Sequence, residues 1–203
     1  KLPPKIAAST GLDALAHAIE CFTSKKANPI SDTFALRALE MIMMNLEAAC
    51  GEPADLHARE QILLASFYAG VAITASGTTA VHALSYPLGG KYHIPHGVSN
   101  AIMLAPVMRF NEPDCRELLA AAYDRIADDG AAMTEEEKSG NLIKKLCRMV
   151  EVLEIPASLS VYGVSRDDLD VLVDAGMQVQ RLLVNNRRTV TEEDARKLYL
   201  EVL

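Results

Sequence analysis

The sequence predicts an all-α protein, an irregular array of many helices. Apolar residues recur at three- and four-residue spacing along nearly all of the 203 residues, the period of a helix that buries one face. No stretch alternates apolar and polar residues as a half-buried strand would, and no strand-like run takes turns with the helical ones. Composition agrees. Hydrophobic residues make up 50% of the chain but aromatic residues only 5%, with no Trp, so Leu and small side chains must fill the interior. Such side chains suit close helix packing.

The elements follow in order. The opening "KLPPKIAAST" has no initiator Met, and its tandem proline reads as extended backbone. Residues 1–8 are therefore expected to be the remnant of an interdomain linker, with residues 9–203 forming the helical domain. Ser9 or Thr10 caps a first helix running to about Phe22. Asn28, Pro29 and Ile30 read as a turn. Ser31 or Asp32 then caps a second helix with apolar positions at Phe34, Leu36, Leu39, Ile42 and Leu46, ending near Gly51. A third helix spans about residues 54–75, with Leu56, Ile62, Leu63, Phe67, Val71 and Ile73 as its apolar positions. A Ser-Gly-Thr break at 76–78 leads into a short helix that carries His82 and stops around Pro87 and the Gly89-Gly90 pair. "YHIPHGVSNAIML" is a loop entering another helix, and Glu112, Pro113 and Asp114 begin a further one through Ile126. A solvated loop, "DDGAAMTEEEKSG", precedes the helical "NLIKKLCRMVEVL". Pro156 and Gly163 mark a loop, Ser165 caps the next helix, and Thr191, followed by Glu193 and Asp194, starts the last one.

Composition also narrows the function. The formal net charge is −7, and no basic patch or stripe offers a footprint for nucleic acid. "SKK" at 24–26 and "NNRR" at 185–188 are too short to supply one. No run of about 18 apolar residues predicts a membrane span, and no signal peptide opens the chain. Cys21, Cys50, Cys115 and Cys147 are widely spaced and form no CxxC pair, which reads as reduced thiols in a cytoplasmic protein.

The chemistry concentrates in a few ionisable residues set among apolar ones. In "GLDALAHAIE", Asp13 and His17 stand four residues apart and so share a helix face. His82 falls on another helix. His93 and His96 bracket Pro95 at a loop-to-helix junction, whereas His57 sits among charged residues and reads as a surface histidine. One carboxylate and two or three imidazoles converging from three elements would suit Fe(II), Zn(II) or a similar ion. On spacing alone a second reading stands beside it: a D-x-x-x-H pair and a histidine on an apolar face that satisfy each other within a core.

The motifs add a resemblance. "STGLDALAHAIECFTSKKANPISDTFALRALEMI" followed by "VHALSYPLGGKYHIPHGVSNAIML" resembles the C-terminal helical domain of the iron-containing (group III) alcohol dehydrogenases, and the similarity extends to the closing "TVTEEDARKLYLEVL". The resemblance implies that the Asp and His of D-A-L-x-H, the first His of H-x-x-x-x-P-L-G and the His of P-H-G are metal ligands: Asp13, His17, His82 and His96. It implies a fold like that of the dehydroquinate synthase-like helical domain, with Fe(II) as the ion and Zn(II) as its main competitor. Many members read H-G-M-x-H-P where this chain reads "HALSYP", so Tyr86 stands at the second histidine, which lies near the nicotinamide in relatives. A phenol, with an ordinary pKa near 10, is a different acid from an imidazole. Tyr86 and His93 are the candidates for a substrate-side or catalytic role.

The implied activity is hydride transfer between an alcohol or aldehyde and NAD or NADP, the dinucleotide being held mainly by an N-terminal α/β domain with a Gly-rich loop. No such loop occurs in this chain, which therefore resembles the second half of a dehydrogenase and is expected to be inactive alone. The expected partners are a small alcohol or aldehyde, the nucleotide-binding domain of the same enzyme, and further copies of the chain in a homo-oligomer. Two alternatives stand: a glycerol-dehydrogenase-like or maleylacetate-reductase-like member of the same superfamily, and an isolated helical metal-binding module without turnover.

Overall fold

The computed structural model describes residues 2–203 as helices joined by short turns, with no strand among the described residues. Five long helices form the body: α1 (Pro4–Thr23), α2 (Pro29–Cys50), α3 (Leu56–Ser76), α4 (Ala80–Tyr92) and α5 (His96–Tyr123). Helix α6 (Glu135–Val152) packs along α5. The short helices α7 (Leu169–Met177), α8 (Gln180–Leu183) and α9 (Glu192–Glu201) close one side of α4. Among the described residues no single helix is long and apolar enough to cross a membrane, although α3 and α4, bent 108° apart, pass that test as a pair.

Helix α1 is the centre of the array. It packs against α2, α3 and α5, and from Leu12 to Thr23 nearly every side chain is buried. A helix buried on all sides must be apolar all round or satisfy its polar groups internally. The small residues Ala8, Gly11, Ala14, Ala16 and Ala18 let the neighbouring helices approach closely. A Cβ on Gly11 would overlap the Leu46 side chain of α2, and one on Gly97 of α5 would overlap the Ser9 carbonyl of α1.

Several boundaries differ from those read in the sequence, each for a local reason. The tandem proline does not extend the chain. Pro3 caps α1 and Pro4 occupies its first turn, where a missing N–H costs nothing, so the residues expected to be a linker are helical from Pro4 onward. Asn28, not Ser31 or Asp32, caps α2; its side chain accepts from the Ile30 and Ser31 N–H groups, and Ser31 closes the capping box. Helix α4 continues past Pro87 and both glycines to Tyr92. Helix α5 runs unbroken through Pro106 and Pro113, because packing on both sides outweighs the lost N–H bonds. Thr134 starts α6 earlier than expected, at Glu135. The caps at Ser165 and Thr191 stand where the sequence places them.

Helix α3 inverts its expected face. Its buried positions are Ala58, Ala65, Ala69 and Ala72, while Leu63 is 75% and Phe67 65% exposed. The alanine stripe lets α3 lie close to α1 and α2, and the large side chains point outward. The "NNRR" segment is a clasp. Asn186 and Asn111 exchange side-chain amide bonds, Asn185 donates to the Thr78 carbonyl, Arg187 donates to the Thr23 carbonyl, and Arg188 donates to the Phe110 carbonyl. It ties the connection between α8 and α9 to the ends of α1 and α3 and to α5.

Substituting Gly97→Ala should destabilise the chain by about 1–3 kcal/mol, because the clash is with backbone that cannot move aside. Asn28→Ala should cost about 1 kcal/mol through loss of the cap. Urea unfolding midpoints followed by circular dichroism check both.

Candidate metal centre

Helices α1, α4 and α5 carry the donors. Asp13 and His17 lie one turn apart on α1, on the face turned toward α4 and α5. His82 lies in the first turn of α4, and His96 is the first residue of α5. Helix α5 can begin so near α1 because Gly97 follows His96 and presents no side chain to the Ser9 carbonyl.

The ring nitrogens converge. The Nε2 atoms of His17, His82 and His96 lie 3.9, 3.7 and 3.5 Å from one oxygen of Asp13, its Oδ1. One ligand atom from each of the four residues lies within 4.8 Å of the other three. The His17 and His82 rings stack at 4.5 Å between centroids, and the His96 ring meets His82 edge-on at 5.3 Å. His82 is buried, Asp13 and His17 are partly buried, and the His96 side chain is 48% exposed, so the cluster opens on the α5 side.

Two further side chains complete the cluster, and sequence reasoning did not single them out. The amide nitrogen of Asn100 lies 2.6 Å from Asp13 Oδ1, 3.0 Å from His82 Nε2 and 3.1 Å from His96 Nε2. Its oxygen accepts from the Ser85 hydroxyl. The partial positive charge of an N–H group thus sits where three donor atoms face one another. The other side chain is Glu20, fully buried and bonded to His82 Nδ1. Spacing held a signal for both. Glu20 follows Asp13 and His17 at i+7 and i+3 on the same face of α1, and Asn100 follows His96 at i+4.

The electrostatics fit this arrangement. Burial pushes the Asp13 carboxyl up, but the imidazole of His82, the charges of His17 and His96 and the Asn100 amide outweigh it and hold its pKa at about 2. Burial and the neighbouring His82 push His17 down to about 4, so its ring is neutral and its lone pair available. Burial pulls His82 down, but the Glu20 charge and the bonds to Asp13 and Glu20 carry it up to about 9. Burial likewise raises Glu20, and His82, Thr79 and the Val81 N–H bring it below its ordinary value. A carboxylate and three imidazoles form a nitrogen and oxygen donor set of the kind that holds a divalent first-row ion. The donor set and its spacing fit such an ion.

The structure does not bring every candidate together. His93 ends α4 in a left-handed conformation, with φ of 55°, and is exposed outside the cluster. Tyr86 does border the cluster: its ring lies 5.8 Å from His96 and 6.3 Å from His82, and the Arg181 guanidinium stacks over it at 5.6 Å. His57 is exposed, as expected. The four cysteines are free thiols.

Fold and site together define an all-helical domain built around a three-histidine, one-carboxylate centre. The chain belongs to a known family: residues 7–203 match the Fe-containing alcohol dehydrogenase family, C-terminal. It is 35% identical over 198 residues to long-chain-alcohol dehydrogenase 1 of Geobacillus thermodenitrificans, covering 98% of this chain and 50% of that protein. Its fold superposes on a crystal structure of 1,3-propanediol oxidoreductase with a TM-score of 0.96 and 30% identity, covering all of this chain and 53% of that one. A sulfoacetaldehyde reductase from Bifidobacterium kashiwanohense, solved in complex with NAD+, matches with a TM-score of 0.85 and 28% identity, again over all of this chain and 51% of the other. The chain thus spans about half the length of the relatives it matches.

His82→Ala and Asp13→Ala should each reduce bound Fe or Zn from about one ion per chain to background, while His57→Ala leaves it unchanged. Metal analysis by mass spectrometry, on protein prepared without a polyhistidine tag, checks this.

Proposed function

We propose that the chain is the metal- and substrate-binding half of an NAD(P)-linked alcohol dehydrogenase or aldehyde reductase, with Asp13, His17, His82 and His96 as the ligands of Fe(II) or, alternatively, Zn(II). The observation that carries this reading is the convergence of those four donors in a chain that belongs to the family. A divalent ion held there supplies Lewis-acid polarisation of an alcohol or carbonyl oxygen, and a nicotinamide supplies the hydride chemistry.

The protein's own residues set the conditions for that chemistry. Asp13 stays ionised and His17 stays neutral across the physiological range, so two donors on α1 are ready near neutral pH. The buried His82 and Glu20 close the inner wall against water. The exposed His96 side is the way in, and Tyr86 forms part of its wall. The Tyr86 hydroxyl lies 3.5 Å from Arg181 Nη2, which orients the ring beside the entering substrate. In this reading Tyr86 orients the alcohol by packing and hydrogen bonding, where many relatives have an imidazole. The dinucleotide is held mainly by the nucleotide-binding domain of the same enzyme.

This chain alone should show no NAD(P)-dependent oxidation of short or long primary alcohols, while the same chain joined to or mixed with a nucleotide-binding half from the family should turn over. Absorbance at the nicotinamide band reads the result, and turnover by the 203-residue chain alone would contradict the proposal. In the active assembly, Tyr86→Phe should lower kcat/KM by about tenfold, or about 1.4 kcal/mol of transition-state stabilisation.

A further inference from the structure

We propose that Glu20 is the positioning residue of the centre, its carboxylate fixing the His82 ring so that Nε2, and not Nδ1, is the donor facing Asp13. The inference deepens the metal-binding reading and rests on how the two carboxylate oxygens divide their partners.

Oε1 collects the start of α4. It accepts from the Thr79 N–H at 3.1 Å, the Thr79 hydroxyl at 2.7 Å, the Val81 N–H at 2.8 Å and the His82 N–H at 3.4 Å. Helix α4 has no side-chain cap of its own, so a carboxylate from α1 serves as its cap. Oε2 makes one bond, with the Nδ1 atom of His82. An ionised carboxylate only accepts, so that bond requires the ring proton on Nδ1. The lone pair of Nε2 then faces the cluster, where Asn100 Nδ2 lies 3.0 Å away. A carboxylate behind a ligating imidazole both fixes its tautomer and raises its basicity. The arrangement also links elements: Asp13 and His17 lie on the same helix as Glu20, so one side chain of α1 sets both the start of α4 and the orientation of its ligand. Glu20 and Asp13 together bring two negative charges to the centre, which would balance those of a divalent ion.

The division of partners provides a selective test. In Glu20→Gln the amide oxygen can replace Oε1 and keep the cap, while the amide NH2 replaces Oε2 and faces Nδ1 with a donor. His82 must then accept at Nδ1 and carry its proton on Nε2, which blocks the metal-facing lone pair. Thr79→Val removes one Oε1 contact and leaves Oε2 alone. Two measurements on the 203-residue chain separate the roles. The first is the His82 tautomer in the metal-free chain, from imidazole nitrogen-15 NMR at alkaline pH, where the ring is neutral. The second is Co(II) affinity, from titration of its visible absorption. The proposal expects a proton on Nδ1 in wild type and Thr79→Val, a proton on Nε2 in Glu20→Gln, and Co(II) binding weakened about 10–100-fold in Glu20→Gln alone. A proton on Nε2 in wild type would overturn the proposal without needing any variant to fold. So would a Glu20→Gln chain that keeps the wild-type tautomer and Co(II) affinity, leaving Glu20 as a cap only. Wild type that holds the proton on Nδ1 yet binds no Co(II) would bring down the metal-binding reading while supporting the positioning of His82.

Discussion

Three imidazole nitrogens and one carboxylate oxygen face one another because α4 and α5 both begin against α1, α5 beside Ser9 and α4 beside Glu20. Asp13 Oδ1 is the common neighbour of His17, His82 and His96, at 3.5–3.9 Å. Much else in the fold serves that approach. Small residues on α1 shorten the distance to its neighbours, Gly97 lets α5 start beside Ser9, and the Asn185–Arg188 clasp holds the ends of α1 and α3 against the α8–α9 connection. A donor cluster of this kind needs atoms placed within fractions of an ångström, and rigid helices packed on several sides supply that more readily than loops do.

Burial and charge are matched within the cluster. Polar groups inside a helical core cost free energy unless each finds a partner. Here Glu20 satisfies the start of α4 and one face of His82, while Asn100 bridges Asp13, His82 and His96. The bonds of Asn100 run toward the point where the donors converge, and those of Glu20 run outward from His82 into the protein. A centre wired in this way keeps its ligand atoms oriented by bonds that belong to the fold.

The sequence made the helical class and the four donors legible for physical reasons. Period 3.6 carries the class, and Asp13 with His17 shows as an i, i+4 pair. Apolar surroundings single out His82, His93 and His96 as further candidate donors, and the resemblance narrows them to His82 and His96, since no spacing rule brings separate helices together. Local rules misjudged other positions where tertiary packing overrode them. Pro87 reads as a helix stop and Pro113 as part of a helix start, yet both lie inside helices, and Leu63 and Phe67 read as core yet point outward from an alanine stripe. His93, a substrate-side candidate close in sequence to His96, caps α4 in a left-handed conformation and is not one of the four converging donors. Glu20 was hidden because a buried glutamate on an apolar helix shows its partners only when α4 is in place.

The most direct test of the account is an X-ray absorption spectrum of the 203-residue chain loaded with Zn(II) or Fe(II), which counts the ligands around the ion. The account predicts a nitrogen and oxygen shell at about 2.0–2.2 Å with the outer-shell scattering of three imidazoles and no sulfur. An ion with one imidazole or none, or with a sulfur neighbour, would contradict it.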